Sequence, residues 1–135
     1  MCGISGFINF ERKTIDAGKL ASIVAIQNHR GPDSNGMYYN SFVGLAHNRL
    51  SLLDLTETGN QPFEDAEYVL VFNGEIYNYQ ALRDLLPPID YSSSSDTAVL
   101  FHALKVWGIE QTLSKIEGMF AFAWYHKPSQ ELILA

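Results

Sequence analysis

Apolar and polar positions along this chain follow two rhythms, a period of two and a period near 3.6, and these predict its elements. Apolar or alternating runs predict strands over 2–10, 43–50, 67–72, 119–125 and 131–135. In the fourth run Phe120, Phe122 and Trp124 alternate with Ala121 and Ala123, as in a strand packed between layers. Helical spacing predicts a helix from about 16 to 27, with Asp16 as its N-cap and Leu20, Ile23 and Val24 as its apolar stripe. A short helix follows Asn78 as cap and stops before Pro87 and Pro88, because proline disfavours helical geometry in Leu86. A third runs from about 96 to 107, with Val99, Leu100, Ala103, Leu104 and Trp107 on one face and Gly108 at its end. Segments 28–36 and 56–62 read as loops, and the four serines 92–95 as a turn-like approach. Strands and helices mix without strict alternation, which predicts an α+β fold with antiparallel sheets.

Composition narrows the class. Hydrophobic content of 47% with 18% charged residues predicts a folded domain able to bury a core. No internal repeat or linker divides residues 1–135, so one domain is expected. No run reaches the roughly 18 apolar residues that span a bilayer, and no export signal opens the chain. The net charge of −6, without a Lys/Arg cluster, speaks against a nucleic-acid partner. A lone cysteine excludes an intrachain disulfide and fits a reducing, cytoplasmic setting. The four histidines, His29, His47, His102 and His126, lack metal-ligand spacing, so no metal is expected.

That cysteine, Cys2, directly follows Met1. Removing Met1 would leave a thiol and a free α-amine on adjacent carbons, a nucleophile beside a base. An α-amine titrates at about 7.7–8.0, so much of it can accept a proton near neutral pH. This is the amine-activated form of the nucleophile–base pair. If Met1 stays attached, the amine becomes an amide and the base is lost. The plainer reading of Cys2 is a buried apolar residue at a strand start.

Six motifs then occur in order: MCGISGF at the start, HRGPDS, AHNRLSLLDL, FNGEIYNY, the pair Ser95-Asp96 entering a helix, and EGMFAFAWY. Together they resemble the glutaminase domain of glutamine-hydrolysing asparagine synthetases, class II glutamine amidotransferases of the N-terminal-nucleophile hydrolase fold. The resemblance covers essentially the whole chain. It implies a four-layer αββα sandwich of antiparallel sheets, here shortened at its C-terminal end, with the ATP-dependent synthetase domain absent. It also implies glutamine as substrate, a homodimer as one allowed assembly, and ATP and Mg in the absent domain rather than any cofactor in this chain.

The resemblance assigns roles by residue. Cys2 would attack the glutamine side-chain amide and form a thioester, with its own amine shuttling the proton. Asn73 would donate to the oxyanion from its side-chain amide, with the Gly74 backbone N–H as second donor. The substrate-contacting set would be Arg49, Leu50, Ser51, Leu52, Leu53, Asn73, Gly74, Glu75 and Asp96. Guanidinium geometry suits Arg49 to the substrate carboxylate, and Glu75 and Asp96 could hold the α-ammonium. Plainer roles stand beside these. Asn73-Gly74 is a favoured tight turn after a strand, Arg49 a surface charge, and Asp96 a carboxylate in a first helical turn. The loop of His29 and Arg30 would shape the pocket wall, held by an Arg30–Asp33 contact. Two alternatives differ in function: an amidotransferase of the same family serving another acceptor, such as a sugar or antibiotic precursor, or a catalytically silent module.

Overall fold

The computed structural model describes residues 2–11 and 14–135. Two antiparallel sheets hold the fold together. The first is three-stranded, in the order β1 (Gly3–Ile8), β3 (Val43–Arg49), β2 (Ser34–Tyr39). The second is four-stranded, in the order β4 (Phe63–Glu64), β5 (Tyr68–Ile76), β6 (Gly118–His126), β7 (Glu131–Leu134). The helices are α1 (Ala17–Ile26), α2 (Tyr79–Leu85) and α3 (Asp96–Leu113).

Side-chain alternation decides what each face meets. On β3, Val43 and Leu45 pack against Val69 and Val71 of β5 and Ala123 and Tyr125 of β6, forming the apolar layer between the sheets. The alternate face of β3 presents Ala46 to Leu20 and Val24 of α1. On the second sheet, Leu70, Phe72, Ile76, Phe122 and Trp124 face Leu82 of α2 and Val99, Leu100, Ala103 and Leu104 of α3. Phe122 and Trp124 of β6 therefore fill the helix side, while Ala123 and Tyr125 face the first sheet, as the alternation predicts.

Asp16 caps α1 as expected, its Oδ1 accepting from the Gly18 and Lys19 N–H groups. Asn78 precedes α2 but does not cap it. Its amide instead bridges to the segment before β6, donating to the Lys115 carbonyl and accepting the Glu117 N–H. The third helix does not stop at Gly108. That glycine takes φ +73, a conformation side-chain-bearing residues resist, and helix resumes to Leu113 beyond the kink.

Two further expectations are corrected. Segment 28–36 is not all loop, since β2 begins at Ser34 and pairs with β3 along its length. Gly36 reflects crowding rather than a turn, because a Cβ there would lie 2.2 Å from the Gln61 carbonyl oxygen. Nor is Asn73-Gly74 a turn. The strand continues through both residues to Ile76, pairing Asn73 with Ala121 and Gly74 with Phe120. A Cβ at Gly74 would lie 2.3 Å from the Met119 carbonyl oxygen, so glycine serves close strand approach here, not a left-handed turn. No helix among the described residues is long and apolar enough to cross a membrane.

Candidate active site

The layer between the sheets turns polar at one end. Along β5, Val69 and Val71 face the first sheet, and the same face continues with Asn73 and Glu75. Opposite, the inward face of β3 runs from Val43 and Leu45 to His47 and Arg49. Cys2 immediately precedes β1 at this same end, since Gly3 pairs with Asn48. The result is a cleft of about 90 Å³ lined by Cys2, Arg49, Leu50, Leu52, Leu53, Asn73, Gly74, Glu75 and Asp96. Of the expected substrate-contacting residues, Ser51 alone does not line it, and His29 and Arg30, expected to shape its wall, do not line it either. The Ser51 N–H is held by Asp33 Oδ2 at 2.7 Å, and Ser51 faces a neighbouring groove.

The free edge of β5 aims a donor into this cleft. In a strand, alternate N–H groups point to opposite edges. The Phe72 N–H donates to Gln61 Oε1 at 2.6 Å, and the Ile76 N–H donates to Asp96 Oδ2 at 2.9 Å. The Gly74 N–H lies between them on that edge, directed away from β6. Beside it, the Asn73 side-chain oxygen is buried with no hydrogen-bond partner among the described residues. That oxygen is an acceptor and suits a donor group, whereas any donation by this side chain comes from its amide nitrogen. Gln61, which sequence reasoning misses, anchors this edge, its Nε2 also reaching Thr97 Oγ1 at 3.4 Å. A lone glutamine in a polar loop carries no sequence signal, and only its burial reveals it.

The Cys2 thiol is held at the first sheet's end. Its Sγ accepts the Leu50 N–H at 3.3 Å and lies 3.5 Å from the Leu50 carbonyl oxygen. Arg30 donates from Nε and Nη2 to the Cys2 carbonyl, at 3.4 and 3.2 Å. The expected Arg30–Asp33 contact is thus replaced: Arg30 secures the Cys2 backbone, while Asp33 secures Ser51. Met1, whose removal the thiol–amine pairing requires, lies outside the described residues.

Arg49 is buried rather than a surface charge, with 6% of its area exposed. Its Nη1 donates to the Thr56 carbonyl at 2.7 Å and Asn60 Oδ1 at 2.8 Å. Its Nη2 donates to the carbonyls of Leu53 and Asp54. Those nitrogens therefore fix the loop between β3 and β4, and a carboxylate must approach along the Nε side or displace a loop carbonyl. The two carboxylates are tuned by seclusion. Burial raises Asp96, opposed by the N–H groups of Ile76 and Thr97. Burial raises Glu75 as well, with the nearby Asp96 charge adding to it. A cation between them would pull both back toward their ionised forms. Beneath the cleft, burial lowers His47 to about 4, the Phe72 backbone opposing this and the Arg49 charge adding to it. Both of its ring nitrogens lack a hydrogen-bond partner among the described residues.

This cleft thus gathers a thiol, an edge N–H, an asparagine side chain, a guanidinium and two secluded carboxylates. Comparison with known proteins gives the constellation its context. The chain is 40% identical over 134 residues to asparagine synthetase [glutamine-hydrolyzing] 1 of Bacillus subtilis, covering 94% of this chain and 21% of that protein. It is 37% identical over 129 residues to asparagine synthetase B [glutamine-hydrolyzing] of Escherichia coli, covering 93% and 23%. It is also 35% identical over 150 residues to amidase chry2 of Gibberella zeae, covering 100% and 22%. The chain therefore spans about a fifth of the length of these curated relatives. The model of the family described as glutamine amidotransferase domain matches residues 1–135, and this chain belongs to that family.

Proposed function

We propose that this domain hydrolyses glutamine to glutamate and ammonia through a thioester on Cys2. The observation that carries the reading is the shared cleft, with the Cys2 thiol, the Gly74 edge N–H and the Asn73 side chain on its walls. After loss of Met1, the Cys2 amine takes the thiol proton as sulfur attacks the glutamine side-chain carbon. The oxygen develops negative charge and is met by the Gly74 N–H and the Asn73 amide, each such donor being worth about 2.7–4 kcal/mol of barrier. The amine then passes its proton to the leaving nitrogen, which departs as ammonia. Water attacks the thioester, releasing glutamate and restoring the thiol.

Leu50, Leu52 and Leu53 would flank the substrate's methylene chain, and Glu75 and Asp96 would take its α-ammonium. Arg49 would take the carboxylate with whichever N–H groups the loop leaves open. The packing order of α1, first sheet, second sheet, then α2 and α3 supports the four-layer arrangement of N-terminal-nucleophile hydrolases. The asparagine synthetases among the relatives support ammonia transfer to an aspartate-derived acceptor on a synthetase portion, and the lone cysteine suits a reducing cytoplasm. ATP and Mg would act on that portion. This chain offers no phosphate-binding glycine loop, and no step above passes through them.

Relatives named amidases favour a second reading, in which the same glutaminase serves another acceptor. Supplying the full-length protein with glutamine, aspartate and ATP separates the two. Asparagine formed in step with glutamate supports the first reading; glutamate without asparagine supports the second. Absence of glutamate release, or turnover undiminished in Cys2→Ala, overturns both.

A further inference from the structure

We infer that Asp54 is a positioning residue for glutamine recognition, tying the cleft wall of Leu50, Leu52 and Leu53 to the turn that launches α3 and presents Asp96. The inference rests on reading Cys2 as a glutaminase nucleophile.

Asp54 adopts φ +49, where a side chain meets steric opposition that Asp and Asn tolerate best. A strained backbone persists when its surroundings fix it, and here they do. Its Oδ1 accepts the Thr56 N–H at 3.1 Å and Thr56 Oγ1 at 2.5 Å. Its Oδ2 accepts Thr58 Oγ1 at 3.0 Å, Ser93 Oγ at 2.5 Å and the Ser94 N–H at 3.2 Å. These donors, Ser93 first among them, hold the carboxyl well below the usual carboxylate range. On its other side the Asp54 carbonyl accepts from Arg49 Nη2.

The connection continues toward the cleft. Ser93 Oγ accepts the Ser95 N–H at 3.1 Å, and Ser95 Oγ caps α3 by accepting the Ala98 N–H. The next residue after Ser95 is Asp96, the first of that helix. Apolar packing does not do this job, because Leu52 and Leu55 are 59% and 77% exposed. Among the described residues, the hydrogen bonds joining the wall loop to residues 93 and 94 end on Asp54 Oδ2.

Removing this link would let the wall and Asp96 drift apart. The thiol and the β5 edge are anchored separately, by Leu50 and Arg30 and by the second sheet. Loss should therefore appear in binding the amino-acid end of glutamine rather than in the chemical step.

The test is glutamate release by the full-length protein across glutamine concentrations, for wild type, Asp54→Asn, Ser93→Ala and the double variant. Alkylation of Cys2 by iodoacetamide, which lacks the amino-acid end, is measured alongside. We expect KM to rise about tenfold in Asp54→Asn, as when a charged hydrogen bond is lost. We expect kcat within about twofold of wild type, because uniform binding moves KM alone. The alkylation rate should be unchanged. Ser93→Ala should raise KM less, and the double variant should be no worse than Asp54→Asn. If Asp54→Asn does not fold, Ser93→Ala with raised KM carries the same conclusion. Unchanged KM in both variants beside an active wild type overturns this inference alone. A joint fall in kcat, alkylation and melting temperature overturns it too, showing a general structural role. A wild type without glutamine turnover overturns the reading beneath it.

Discussion

β5 and the loop of residues 50–62 face each other across one cleft, yet they are kept in place by different forces. β5 approaches the cleft from a dry interior, with Val69, Leu70, Val71 and Phe72 at most 2% exposed and the strand in register with β6 to Ile76. Water exclusion and a backbone ladder fix it, and neither titrates. The loop has little apolar anchorage. It hangs on the Arg49 guanidinium, the Asp54 carboxylate and the Asp33 bond to Ser51. The difference teaches that the β5 side of the cleft is built for rigidity, and the loop side for adjustable polar contact.

The largest effect should come from the rigid side. Asn73→Ala should lower kcat by about 10²–10³, equivalent to about 2.7–4 kcal/mol, by removing one oxyanion donor. Melting temperature should stay near wild type, because the Asn73 side-chain oxygen has no partner among the described residues. A modest kcat loss with a collapse in stability would make Asn73 structural instead.

Next, Gly74→Ala should break the ladder itself. Its Cβ would lie 2.3 Å from the Met119 carbonyl oxygen and 2.6 Å from Phe120 Cα. Backbone cannot yield as a side-chain tip does, so thermal unfolding should show a loss of about 3 kcal/mol. Near-native stability would mean that β5 and β6 lie farther apart than described.

His47 sharpens the comparison through pH. It sits fully buried where the dry layer meets the cleft, with a folded value of about 4 against 6.5 when unfolded. Between those values the unfolded chain binds more protons, so stability falls as pH drops from about 6.5 to 4 and is flat above. The loss attributable to this group is on the order of 3 kcal/mol. Denaturant titrations across that window should show it, and His47→Gln should flatten the curve. An unchanged slope in the variant would remove His47 as the cause.

The smallest effect belongs to the loop. Thr58→Ala deletes one of several exposed donors to Asp54, so global stability should change by less than about 1 kcal/mol. Amide exchange should quicken in residues 54–60 and not in β5. Equal quickening in both would erase the distinction drawn here.

Much of the fold was legible because alternation and helical spacing report burial directly, as in Phe120 to Tyr125 and in Leu20 and Val24. The misreadings share a cause. At Gly36, Gly74 and Gly108 composition suggests punctuation, but two of these glycines serve close backbone approach and one a kink inside a helix. Sequence marks a glycine without saying which neighbour forbids a Cβ. The named site residues other than Ser51 converge on one cleft, and the resemblance had indicated them. Gln61, Thr97 and Asp54 escaped notice because their roles depend on partners 11 to 40 residues away.

The central claim is that Cys2, freed of Met1, is the nucleophile of this cleft. Mass spectrometry of the protein after treatment with an electrophilic glutamine analogue tests it most directly. The account predicts a chain beginning at Cys2, one adduct on that residue, and protection by excess glutamine. An intact Met1 with no adduct at Cys2 would contradict it.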